Sequence, residues 1–87
     1  MLTYRYKTHG TCSSEMIIEL EGNLIHSVKI IGGCDGNLKG ICSLVKGQKA
    51  EDVISKLQGI RCGFKSTSCP DQLAQALKQA MDKELYQ

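Results

Sequence analysis

Cys12, Cys34, Cys62 and Cys69 all stand in punctuation: "HGTCSS", "GGCDGN", "IRCGF" and "TSCPD". Loops held by a scaffold leave their side chains free for chemistry. In "TSCPD" the thiol sits at the mouth of a helix, with either Ser68 as the cap and Asp71 as the acidic end of a capping box, or Cys69 as the cap and Pro70 in the first helical position. Cys34 has the same setting, since Asp35 or Asn37 would cap the helix that follows. In both places unpaired backbone N–H groups and the positive end of the helix dipole favour thiolate over thiol. Thiolates bind soft or borderline metals, and four of them make a closed tetrahedral zinc site or hold an iron–sulfur cluster. Nothing reads C-x-x-C, so such ligands would converge from four separate loops. The spacing by itself leaves a metal centre and a set of unrelated loop cysteines both open. Cys42 is different, because it falls on an apolar helical stripe where a cysteine behaves as a small hydrophobe.

The elements that must position these thiols follow from periodicity. Leu2, Tyr4 and Tyr6 alternate with Thr3, Arg5 and Lys7, and Met16, Ile18 and Leu20 alternate with Ile17, Glu19 and Glu21, the pattern of half-buried strands. "EGN" at Glu21 to Asn23 gives a turn, and Leu24 to Ile31 follows as a third strand with Leu24, His26, Val28 and Ile30 on one face. Leu38, Ile41, Cys42 and Val45 then recur at helical spacing up to Gly47. A second helix is expected from about Lys49 to Leu57, burying Val53, Ile54 and Leu57, with Gly59 as its stop. A third starts near Pro70 with Leu73, Ala76, Leu77, Ala80, Met81 and Leu85 inward. Three strands followed by three helices, without βαβ alternation, predict an α+β domain: a three-stranded antiparallel sheet with the helices packed on one face.

With 87 residues the chain is expected to form one domain, residues 1–87, whose modest core would gain from a staple. "MLTYRYKTHG" has no apolar stretch long enough for a signal peptide, so a soluble cytoplasmic protein is expected, with no membrane partner. A reducing cytosol and an odd number of cysteines rank metal binding or thiol chemistry above a disulfide framework. The net charge of +2 comes from interspersed acids and bases, with no tryptophan and no basic run, which excludes a nucleic-acid binder of the usual kind. His9 reads as an exposed loop residue that could assist near Cys12. His26 reads as a hydrogen-bonded, partly buried imidazole, Asp35 and Asp71 as caps that could also orient a neighbouring thiol, and Lys46, Lys49 and Lys56 as a solvated face.

"TSCPD", "GGCDGNLKGI" and "RCGFKSTSCPDQLAQAL" together resemble the stand-alone TSCPD-domain family over essentially the whole chain. The resemblance implies four characteristic cysteines, which map onto Cys12, Cys34, Cys62 and Cys69 and leave out Cys42. A related domain ends the adenosylcobalamin-dependent ribonucleotide reductases, and stand-alone relatives often carry the label ribonucleoside-diphosphate reductase, with its associations of nucleotide binding and DNA synthesis. That activity does not transfer: a barrel enclosing a nucleotide and a protein radical needs several times this length. What the resemblance implies is an accessory role, with a ribonucleotide reductase or another reductase as partner. In the order of its elements the chain is also similar to IscU/NifU-like iron–sulfur scaffolds, with Cys12, Cys34 and Cys69 in the scaffold's cysteine places and "VKGQKAEDVISKL" like its glycine-lysine helix segment. Ser13 stands where the scaffold has an aspartate and Cys62 has no counterpart, which implies a fixed four-thiolate site rather than labile cluster assembly. Three functions follow as expectations: a zinc or iron–sulfur module, a thiol-redox protein passing electrons to a reductase, and a structural or interaction domain.

Overall fold

The computed structural model describes residues 1–8, 10, 13–32, 35–61, 63 and 67–85, at 35, 37, 84 and 85 by their backbone. Three strands come first, β1 (Leu2–Lys7), β2 (Ser13–Glu21) and β3 (Leu24–Gly32), and then α1 (Asp35–Val45), α2 (Ala50–Leu57) and α3 (Cys69–Leu85). The strands form one antiparallel sheet in the order β1-β2-β3. This is the expected α+β architecture.

Tyr6, Met16, Ile18 and Leu20 are buried on the helix-facing side, while Thr3, Arg5, Lys7 and Glu21 stay in solvent, so period-2 patterning sets the faces of β1 and β2. Gly22 turns β2 into β3 with φ +62, a conformation that a side chain would strain.

The third strand departs from its expected face. Glu19 pairs with Ser27 but Leu20 pairs with Ile25, so His26 is an extra residue in the ladder. A bulge of one residue reverses the inside–outside parity beyond it. Ile25, not Leu24, therefore enters the core with Val28, while Leu24 is 45% exposed and His26 lies in solvent. The predicted partly buried imidazole is corrected accordingly. A second irregularity falls between Ser13 and Glu15, where Ser13 pairs with Gly32 and Glu15 with Ile31. It leaves Ser14 exposed and turns Ser13 inward, where it is only 5% exposed.

The helices cover one face of the sheet: α1 lies on β3, α3 lies on β2 and β1, and α2 packs against α3. Leu38 and Val45 are buried from α1 with Ile41 and Cys42 partly so, and Ala50 and Val53 are buried from α2. The inward side of α3 is Leu73, Ala74, Ala76, Leu77 and Ala80, all fully buried. Alanines let the helix axis come close to the sheet, and Leu73 and Leu77 fill what space remains. Lys46, Lys49 and Lys56 are exposed as expected.

The α1–α2 connection joins the sheet mainly through backbone groups, and the Asn23 side-chain amide adds a bond to the Glu51 carboxylate at 2.9 Å. The Ile25 N–H donates to the Gln48 carbonyl at 2.9 Å, the Gly47 N–H to the Ile25 carbonyl at 2.7 Å and the Ala50 N–H to the Asn23 carbonyl at 2.8 Å. Lys49 forms a bridge with Leu24. This seam closes the β2–β3 turn end of the molecule. Among the described residues no helix is long and apolar enough to cross a membrane.

Candidate metal centre

Of the predicted ligands, Cys69 is described; Cys12, Cys34 and Cys62 lie outside the described residues, as does His9. Among the described residues no group of three or more His, Cys, Asp or Glu side chains is placed to hold a metal ion.

The start of α3 is built by the residues around Cys69. Ser68 is the N-cap: its hydroxyl accepts from the Asp71 N–H at 3.1 Å and its carbonyl takes the first helical hydrogen bond, from the Gln72 N–H at 2.8 Å. Cys69 is thus the first helical residue and Pro70 the second, where the missing N–H costs nothing because the first turn's donors have no helical partner. The Ser68 hydroxyl also donates to the Ile60 carbonyl at 2.6 Å.

The Asp71 carboxylate, expected as the acidic end of a capping box, is held by partners outside the cap. It accepts the Gly59 N–H at 2.7 Å, the Gln75 side-chain amide at 2.9 Å and the Thr67 hydroxyl. Thr67 in turn accepts from the Gln72 amide at 3.1 Å, and the Gln72 carbonyl oxygen accepts from the Tyr6 hydroxyl at 3.1 Å. Thr67, Ser68, Asp71 and Gln72 are all buried, and among the described residues every buried side-chain nitrogen or oxygen has a partner. The hydrogen bonds from Thr67 and Gly59 hold the Asp71 carboxyl below the ordinary carboxylate range, against the opposing effect of desolvation. Burial raises the Tyr6 phenol above its usual value, with the Tyr4 and Asp71 neighbours adding to the effect, which keeps it a donor.

The result is a polar clamp that ties α3 to β1 and to the end of α2. Three of the five residues of "TSCPD" are spent on it. Thr67, Gln72 and Tyr6 were not singled out by the sequence, and only the motif itself could have pointed to Thr67.

Ser13, which the sequence marks only as a departure from the scaffold's aspartate, is a further residue of this end. Its hydroxyl lies 3.4 Å from the Cys69 sulfur. Its carbonyl accepts the Thr8 hydroxyl, and the Thr8 N–H donates to the Ser14 carbonyl at 3.3 Å. Nearby, a Cβ on Gly10 would come within 3.0 Å of the Thr67 methyl, and φ there is +72, so glycine lets the β1–β2 connection pass directly against the lead-in to α3. The end of the sheet where β1 turns to β2 therefore meets the N-terminus of α3.

Cys42 is half-buried on α1 against the core and shares a cleft with Val28, Ile30 and Leu38. Burial pushes its thiol up, outweighing backbone hydrogen bonds at Ile30 and at Cys42 itself that act the other way. Its alkylation by iodoacetamide at neutral pH is expected to be slower in the folded protein than in the urea-unfolded chain, and to catch up as pH rises. Equal rates at neutral pH would show that the thiol is not shielded.

The family described as the TSCPD domain matches residues 2–81. No curated protein and no solved structure matches the chain.

Proposed function

The chain belongs to the TSCPD-domain family, and from that premise we propose that it is a cytoplasmic metal-binding accessory module, in which Cys12, Cys34, Cys62 and Cys69 hold zinc or an iron–sulfur cluster in the service of a ribonucleotide reductase or another reductase. The observation that carries this reading is the meeting of their described neighbours at one end of the molecule. Ser13, one residue from Cys12, pairs with Gly32, two residues from Cys34. The Ser13 hydroxyl is 3.4 Å from the Cys69 sulfur. The Ile60 carbonyl, two residues from Cys62, is held at 2.6 Å by the hydroxyl of Ser68, which precedes Cys69. Described residues within two positions of each of these cysteines thus lie together at this end, which is what supports a common site.

The donor chemistry fits the group. Four sulfurs suit zinc or an iron–sulfur cluster and suit magnesium or calcium poorly, because hard cations take oxygen ligands. Cys69, at the first position of a 17-residue helix, is where backbone N–H groups favour an ionised sulfur. A closed zinc site would bind the ends of three connections into one unit; a cluster would supply electron transfer.

Protein purified without oxygen is expected to contain near-stoichiometric zinc or iron by elemental analysis, and the absorption spectrum separates the two because a cluster is coloured. Cys69→Ser should lose the metal and Cys42→Ser should retain it. Fully folded wild-type protein without metal would refute the reading. In that case the thiolate-favouring position of Cys69 would support the thiol-redox alternative, which requires a reversible disulfide within this set of cysteines.

A further inference from the structure

We propose that Ser13 is a positioning residue for the Cys69 thiolate: its hydroxyl donates to the sulfur and sets both the metal affinity and the electron density that the sulfur offers to the metal. This inference rests on the reading of Cys69 as a ligand.

The geometry is specific. An uninterrupted strand would turn Ser14 toward the helices, on the same side as Met16 and Ile18, and would leave Ser13 outside. The irregularity between Ser13 and Glu15 exchanges the two. Ser13 becomes buried, and three contacts hold its backbone: the pairing with Gly32, the Thr8 hydroxyl on its carbonyl, and the Thr8 N–H on the next carbonyl. Its side chain is thereby aimed at the Cys69 sulfur, 3.4 Å away, within hydrogen-bonding range for sulfur.

A thiol and a hydroxyl can each donate to the other. A metal-bound thiolate has no proton, so the direction becomes fixed and Ser13 is the donor. An O–H···S hydrogen bond draws charge from the sulfur lone pairs. Partners of this kind, one bond removed from the metal, are typically worth about 10–100-fold in affinity.

Cobalt(II) is a suitable probe, since thiolate-to-cobalt charge transfer reports on the sulfurs directly. The wild-type chain, freed of metal under reducing conditions, should take up cobalt with an intense charge-transfer band. Ser13→Ala should bind cobalt roughly 10-fold more weakly in chelator competition, and its band should move to lower energy because the sulfur electrons are less tightly held. Ser13→Thr, which keeps the hydroxyl, should restore both. Ser14→Ala removes a hydroxyl from the same irregularity, one that donates to the Ile31 carbonyl at 3.2 Å and not to Cys69, and should change neither. An unchanged band and affinity in Ser13→Ala would overturn the inference while leaving the metal site standing, and so would an equal change in Ser14→Ala. Absence of the thiolate band in the wild type would instead overturn the metal reading, and this inference with it.

Discussion

Leu77→Ala is expected to lower the free energy of unfolding in urea by about 3–5 kcal/mol, within the range measured for removing a leucine side chain from a tightly packed interior. Leu77 is fully buried, and its neighbours along the inward side of α3 are mostly alanines. They have no longer rotamer with which to fill the gap, and the close approach of the helix to Met16, Ile18 and Leu20 prevents a simple collapse. A chain of 87 residues has a total stability of about 4–13 kcal/mol at the usual 0.05–0.15 kcal/mol per residue, so this one change removes a large part of it. Leu44→Ala is the matched control, because Leu44 is 76% exposed and the same atoms are lost from solvent. It should alter stability by no more than about 0.5 kcal/mol. A Leu77→Ala loss below about 1 kcal/mol would mean that α3 does not rest on the sheet as described.

Asp71→Asn is expected to cost roughly 2–4 kcal/mol at neutral pH, since hydrogen bonds to a charged acceptor contribute about 1.5–3 kcal/mol each and several are disturbed together. One oxygen of the asparagine can still accept the Gly59 N–H, but the amide nitrogen that replaces the other would face the Thr67 hydroxyl and the Gln75 amide, both donors in the native arrangement. The folded-state pKa of Asp71 lies below that of the unfolded chain. Its stabilising effect is therefore complete above the unfolded value of about 3.9 and is lost as pH falls through the folded value. Urea unfolding at a series of pH values should show the wild type and Asp71→Asn converging only below pH about 4. A gap that stays constant into acid would show that the carboxylate charge is not what holds the clamp.

How much of this was legible in the sequence depends on whether a residue's position is decided by its own segment. β1, β2 and the inward stripe of α3 follow from local period, because burial there has no interruption. β3 does not: the extra residue at His26 is a property of pairing with β2, and no pattern within Leu24–Gly32 distinguishes Ile25 from Leu24 as the one that enters the core. Ser13 was hidden for the same reason. Asp71 was correctly seen at the start of α3, but the chain N–H that it holds lies twelve positions back at Gly59 and is a tertiary fact. Cys42 was separated from the other cysteines by helical spacing, and it does lie half-buried against the core.

The two ends of the sheet are closed by different means, and this polarises the protein's tolerance to mutation. At the β2–β3 turn the seam is made mainly of main-chain groups, so many side chains can stand at the exposed Gln48 and Lys49, whereas a residue lacking its amide hydrogen at Gly47 or Ala50 breaks the stitching. At the opposite end closure depends on particular hydroxyls, one carboxylate and two side-chain amides. Neutral drift can therefore accumulate at exposed positions of the first end such as Gln48 and Lys49, whereas at the second a single exchange disturbs several partners at once.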